Sequence, residues 1–233
     1  MEQRRDSATA YIILADGFET IEALTPLDVL RRCGVEVTTI SLNQTRAVRS
    51  SHGVTVEADA TMEDYILKRN NAGRSSSADI SSGSTNITNA GSSTGASDTN
   101  TTASTSTNVS GTMRQALILP GGYPGYKNLC ESAEVGALIT QFHKEGKLLC
   151  AICGAPTALK ANQICRGAAI TCHTSVKEEL TDYYSILSSA VVKYMNIITG
   201  MGAGRSLEFA FAIAEALTSK EKVEEIKAKM EII

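Results

Sequence analysis

Cys153 ends an apolar run, Leu148-Leu149-Cys150-Ala151-Ile152, and is followed by Gly154-Ala155, Pro156 and the helix-forming segment Thr157-Ala158-Leu159-Lys160-Ala161. An apolar run, a small-residue turn and a helix describe a buried strand feeding a helix, with one side chain held at the corner. The unpaired N–H groups and the dipole at a helix start favour an anion, so a thiol at that corner is expected to ionise readily. The serine version of this arrangement is the nucleophile elbow. A free cysteine also serves as one more small buried residue, and the segment alone leaves both roles open.

The partners that would give the thiol chemistry lie far from it in the chain. Glu22 comes one helical turn after Glu19 at the start of an amphipathic segment. Protonated, such a carboxyl donates a hydrogen bond to sulfur; ionised, it relays a proton. An acid in a first helical turn also simply complements the dipole. His173 closes a short apolar run, where it would be a general base or a hydrogen-bonded structural residue. His52 and His143 are weaker candidates. Gly121-Gly122 could turn backbone N–H groups toward an oxyanion, together with the amide of Gly154. No Walker-type Lys-Ser/Thr follows those glycines, and Gly200-Met201-Gly202-Ala203-Gly204 is only a short GxGxG late in the chain.

Composition narrows the field. The chain has 233 residues and a net charge of −3, with both signs mixed and no Trp. That argues against a nucleic-acid footprint or a base-stacking platform. Residues 1–10 lack the apolar core of a secretory signal, and no apolar run reaches membrane-spanning length, so a cytoplasmic protein without a membrane anchor is expected. The six cysteines, Cys33, Cys130, Cys150, Cys153, Cys165 and Cys172, form no scaffold ladder and are expected to be reduced. Cys150 and Cys153 make a C-x-x-C, but their side chains should diverge at a strand end. A second ligand pair for zinc is missing, so no metal site is expected.

The elements that must position these groups follow from periodicity. Apolar runs at 11–15, 35–42, 116–120, 148–152, 168–172 and 191–199 read as strands, with 54–56 a short one. Residues 21–32, 132–144, 157–161, 206–217 and 220–230 read as helices, and 62–67 as one or two turns. Pro26 is expected to kink the first helix or delay its start. Alternating strands and helices make an α/β fold with a mostly parallel sheet and helices on both faces. Chemistry in such sheets collects beyond the carboxyl ends of the strands, where the Asp16–Glu22 turn, Gly121-Gly122, Cys153, His173 and the Gly200–Gly204 turn are expected to fall. From about 70 to 111 the chain is nearly all Ser, Thr, Asn, Gly and Ala. It reads as a flexible surface insertion in a single domain spanning 1–233, and its three glycosylation-type triplets at Asn86, Asn100 and Asn108 read as products of that composition.

Four segments in this order resemble the ThiJ/PfpI superfamily, in its DJ-one branch. They are Ala15-Asp16-Gly17-Phe18-Glu19-Thr20-Ile21-Glu22, Leu119-Pro120-Gly121-Gly122, Ala151-Ile152-Cys153-Gly154-Ala155-Pro156 and Gly204-Arg205-Ser206-Leu207-Glu208-Phe209. The resemblance implies a flavodoxin-like three-layer sandwich and a homodimer. It makes Cys153 the reactive cysteine, Glu22 its acidic partner and His173 the nearby histidine, with Gly122 and Gly154 supplying backbone N–H groups. It also implies a cofactor-independent glyoxalase or deglycase acting on methylglyoxal-type dicarbonyls or glycated proteins. A redox sensor or chaperone whose Cys153 oxidises to sulfinate is the alternative, and a cysteine peptidase or amidase comes third. The chain departs from the branch at Ser51-His52-Gly53, where an Arg is common, and at Ala203, where a proline is common.

Overall fold

The computed structural model describes residues 8–75 and 114–232. Eleven strands and eight helices are described. In chain order they are β1 (Thr9–Leu14), α1 (Thr20–Arg32), β2 (Glu36–Ser41), β3 (Ala47–Arg49), β4 (Thr55–Glu57), β5 (Ala60–Thr61), α2 (Met62–Ser75), β6 (Gln115–Leu119), α3 (Gly125–Glu131), α4 (Ala133–Lys144), β7 (Leu148–Ile152), α5 (Pro156–Ala161), β8 (Ala169–Ile170), α6 (Lys177–Leu180), β9 (Ser185–Ile186), β10 (Val191–Tyr194), β11 (Ile197–Gly200), α7 (Ser206–Leu217) and α8 (Lys220–Lys229). Seven strands form one sheet in the order β10-β11-β7-β6-β1-β2-β5. All its pairings are parallel except β10 with β11.

The central strands β6 and β7 are almost wholly apolar because both faces of the sheet are covered there. Ala10, Ile12, Leu14, Ala116, Ile118, Leu148, Cys150 and Ile152 face α1, α7 and α8. Ile13, Leu117, Leu119, Leu149 and Ala151 face the layer of α2 to α5. This period-2 alternation makes the three-layer sandwich expected from the sequence. It also sends Cys150 into the core, fully buried, while Cys153 lies past the strand at its corner. All six cysteines are free thiols.

Several elements differ from the sequence reading. α1 runs unbroken through Pro26, which lies within it. The run 191–199 is a hairpin, β10 and β11, turning at Met195 with φ 50°. Residues 168–172 contribute only β8, which pairs with β9 outside the main sheet. Residues 54–56 belong to a second hairpin, β3–β4, also outside it. The two-turn helix at Met62 continues to Ser75, so the polar composition that begins near residue 70 does not mark the end of regular structure. The rest of the proposed insertion, including Asn86, Asn100 and Asn108, lies outside the described residues.

The chain leaves β1 in one direction, to β2 and β5, and resumes at β6 on the other side, continuing to β7 and β11. The reversal point between β1 and β6 opens a crevice at the strands' carboxyl ends, where α/β sheets bind ligands. Glu22, Gly121 and Cys153 all enter from the loops around it.

Candidate active site at the end of the parallel strands

Cys153 follows β7 with φ 65°, a left-handed conformation that costs a non-glycine residue about 1–3 kcal/mol. The main chain holds it there. Its N–H donates to the Gly200 carbonyl at 3.0 Å, and its carbonyl accepts from the His173 N–H at 2.9 Å. The side chain is thereby turned off the strand, half-buried, toward α1.

Glu22 has no solvent exposure, and its Oε2 accepts the Gly121 N–H at 2.9 Å. Glu19 caps α1 by accepting the Glu22 N–H at 2.8 Å, and its own N–H donates to the Gly121 carbonyl at 2.9 Å. The first turn of α1 and the turn after β6 are therefore tied by reciprocal bonds. Gly121 is wedged between the acid and the thiol. A Cβ there would stand 2.6 Å from Glu22 Oε2, 2.7 Å from Cys153 Cβ and 3.1 Å from its Sγ. Gly122 has φ 88°, and a side chain on it would run into the Glu19 and Phe18 backbone.

Three groups reach the sulfur: the Glu22 carboxyl and the N–H groups of Gly122 and Gly154. Their effects oppose one another. Burial, then the Glu22 carboxylate, push the thiol up to about 12, while the two amides pull it down. The ready ionisation expected from a helix start is thus overturned for a thiol facing a charged Glu22. α5 has only six residues, and a buried neighbouring anion outweighs its dipole. Burial also lifts Glu22 itself, to about 7, against the bonds from Gly121 and Cys153. Near neutral pH the pair therefore carries at most one negative charge, the proton on Glu22 being in exchange. A proton on Glu22 removes the charge that holds the thiol up and supplies a donor to sulfur. Glu22 Oε1, the oxygen not used by Gly121, has no hydrogen-bond partner within the normal distance.

His173 lines the same cleft, but its ring is exposed and is engaged elsewhere. Nδ1 accepts the Ser175 N–H at 3.2 Å and lies 2.8 Å from the Ser175 hydroxyl. With Nδ1 accepting, the neutral ring carries its proton on Nε2. Among the described residues no hydrogen bond joins this ring to the thiol or to a carboxylate, so the His–acid pairing of a cysteine peptidase is not assembled. His143 lies in α4, with Nε2 3.8 Å from Cys165 Sγ, away from this cleft.

The cleft measures about 620 Å³ and is lined in addition by Ser51, His52, Tyr123, Met201 and Arg205. The β3–β4 hairpin brings in Ser51 and His52, anchored by the Ser51 N–H on the Phe18 carbonyl at 2.8 Å. His52 Nδ1 stands 4.0 Å from Glu19 Oε1. Sequence reasoning found the strand at 54–56 but missed β3 and its pairing, Gly121 as the donor to Glu22, and Arg205 as a wall of the site. Among the described residues no cluster of three or more His, Cys, Asp or Glu side chains could hold a metal ion.

A doubly wound parallel sheet with a thiol at a strand-to-helix corner, beside a buried carboxyl, defines a class of cysteine-centred α/β proteins. Within it this chain belongs to the DJ-1/PfpI family, which residues 8–216 match. It is 32% identical to Protein dj-1beta of Drosophila melanogaster over 221 residues, covering 94% of this chain and 95% of that one. The crystal structure of Drosophila DJ-1beta superposes with a TM-score of 0.73 at 31% identity, over 97% of this chain and 99% of that one. A Caenorhabditis elegans relative, Glutathione-independent glyoxalase DJR-1.2, is 40% identical over 107 residues, 46% of this chain and 56% of that one.

Proposed function

We propose that the protein is a cysteine-dependent, cofactor-independent glyoxalase or deglycase acting on methylglyoxal-type dicarbonyls or their protein adducts. The observation that carries this is the contact of Cys153 with a buried Glu22 whose proton is held up to about 7. A general acid–base group is most effective with its pKa near the working pH.

Sulfur adds to the aldehyde carbon as ionised Glu22 takes the thiol proton; a C–S bond forms and the carbonyl electron pair moves to oxygen. Glu22 passes that proton on, so that it ends on the former ketone oxygen and Glu22 is ionised again. The amides of Gly122 and Gly154, which face sulfur at rest, stand beside that new oxyanion. Glu22 takes the proton from the former aldehyde carbon and returns it to the neighbouring ketone carbon. The first carbon is oxidised, the second reduced, and a hydroxyacyl thioester remains. Water hydrolyses it, releasing lactate and restoring the thiol. From a protein adduct, the amine or thiol of the adduct leaves as well. His173, with Nε2 free, is the second proton carrier in this reading.

The test is lactate formation from methylglyoxal by wild type and Cys153→Ala. The variant is expected to lose at least about 100-fold, and equal rates would defeat the proposal.

The two amides aimed at sulfur also favour a redox sensor. Two peroxide molecules would each give one oxygen to Cys153 and leave water, and the resulting sulfinate would be held by those amides and by protonated Glu22. Mass spectrometry after mild peroxide separates the readings. A two-oxygen gain at Cys153 without dicarbonyl turnover identifies the sensor.

A further inference from the structure

The cleft around Cys153 is larger than a single carbonyl needs. At about 620 Å³ it lies in the range of sites for considerably bigger ligands. One wall is acidic, but its carboxylates are committed: Glu22 to Gly121, Glu19 to the Glu22 N–H and the neighbouring His52. The turn after β11 also lines the cleft. Arg205 is the only Arg or Lys among the lining residues.

The partner of Arg205 holds it weakly. Nη1 is 3.0 Å from Glu208 Oε1, three residues along the chain, with both side chains about half exposed. An exposed pair of this kind gains little over hydration, so a ligand carboxylate can displace Glu208 at small cost. A guanidinium then receives that carboxylate through two parallel hydrogen bonds. Gly204 leaves room for the movement, since nothing lies within 4 Å of where its Cβ would stand.

We propose that Arg205 sets substrate choice in this cleft, selecting carbonyl compounds that carry a carboxylate besides the reacting aldehyde. The aldehyde half of this statement rests on the function proposed above. The carboxylate half rests on the cleft alone and is measurable without turnover.

Iodoacetate and iodoacetamide are the probes. They are nearly the same size and share a leaving group, but only one carries a carboxylate. Either forms a C–S bond at Cys153 as iodide leaves and the thiol proton passes to solvent, and peptide mass spectrometry follows that one residue. At low salt, Arg205→Gln is expected to lower the iodoacetate-to-iodoacetamide rate ratio by about 5- to 10-fold, with the iodoacetamide rate unchanged. Glu208→Gln, which frees the guanidinium, is expected to raise the ratio. An unchanged ratio in Arg205→Gln overturns the proposal, and so does an equal loss with both reagents, which would mean a distorted cleft. A lowered ratio in a protein that turns over no dicarbonyl would sustain the anion site and defeat the glyoxalase reading.

Discussion

Glu22 is a carboxyl that folding prefers to leave protonated. Its folded value of about 7 stands above the unfolded 4.5, so the native state binds this proton more tightly than the unfolded chain does. Its contribution to stability is therefore full below about 4.5 and is lost as pH rises through 7. The 2.5-unit difference corresponds to roughly 3 kcal/mol at most. Glu22→Gln keeps an acceptor for the Gly121 N–H but has nothing to ionise. We expect it to flatten the stability profile between pH 5 and 8 and to be more stable than wild type at pH 8, by about 1–3 kcal/mol in urea unfolding. A wild-type advantage at pH 8 would show that the carboxylate is better satisfied than its burial suggests.

At the scale of elements, the site depends on turns rather than on helix or strand interiors. The turn after β6 sets the distance between α1 and β7, and Gly121 is its narrowest point. Gly121→Ala forces Glu22 and Cys153 apart. The expected cost is about 1–3 kcal/mol of stability, with lactate formation, if present, falling by at least about 10-fold. Thermal melts with the methylglyoxal assay check both, and a variant equal to wild type in each would mean that the turn gives way freely. These turns were unevenly legible in the sequence. Cys153, Glu22, Gly122 and Gly154 stood in short segments whose residue types suggest their chemistry. The Gly121 contact joins residues 99 apart, which no local pattern encodes. Of the β3–β4 hairpin only the strand at 54–56 was legible; β3 was missed because its residues are mostly exposed and lack a long apolar run. β10 and β11 merged into one expected strand because their turn, Met195-Asn196, has no Gly or Pro. The strands β1, β6 and β7 were plain for the opposite reason: burial on both faces leaves little but Val, Ile, Leu, Ala and Cys in them.

At the scale of the whole molecule, the mostly parallel sheet and the two apolar layers followed from strand–helix alternation, whereas the strand order, set by contacts between distant segments, did not. No described helix is long and apolar enough to cross a membrane. The homodimer implied by the resemblance is the remaining proposal at this scale. Ile21, Val54 and Leu207 are each more than 40% exposed, which a buried interface between copies would relieve. Sedimentation is expected to give twice the chain mass at micromolar concentration, whereas a species of single chain mass there would remove the dimer.

The site is gathered from residues 19 to 205, and β11 sits between β10 and β7, supplying through Gly200 the carbonyl that fixes the Cys153 N–H. While the protein is being made, every other strand of the main sheet is synthesised before that partner exists. A nascent chain halted before Ile197 would leave β7 as an open margin and the Cys153 N–H without its acceptor. Competence then arrives late in synthesis, in one step, when the final strand slots into place.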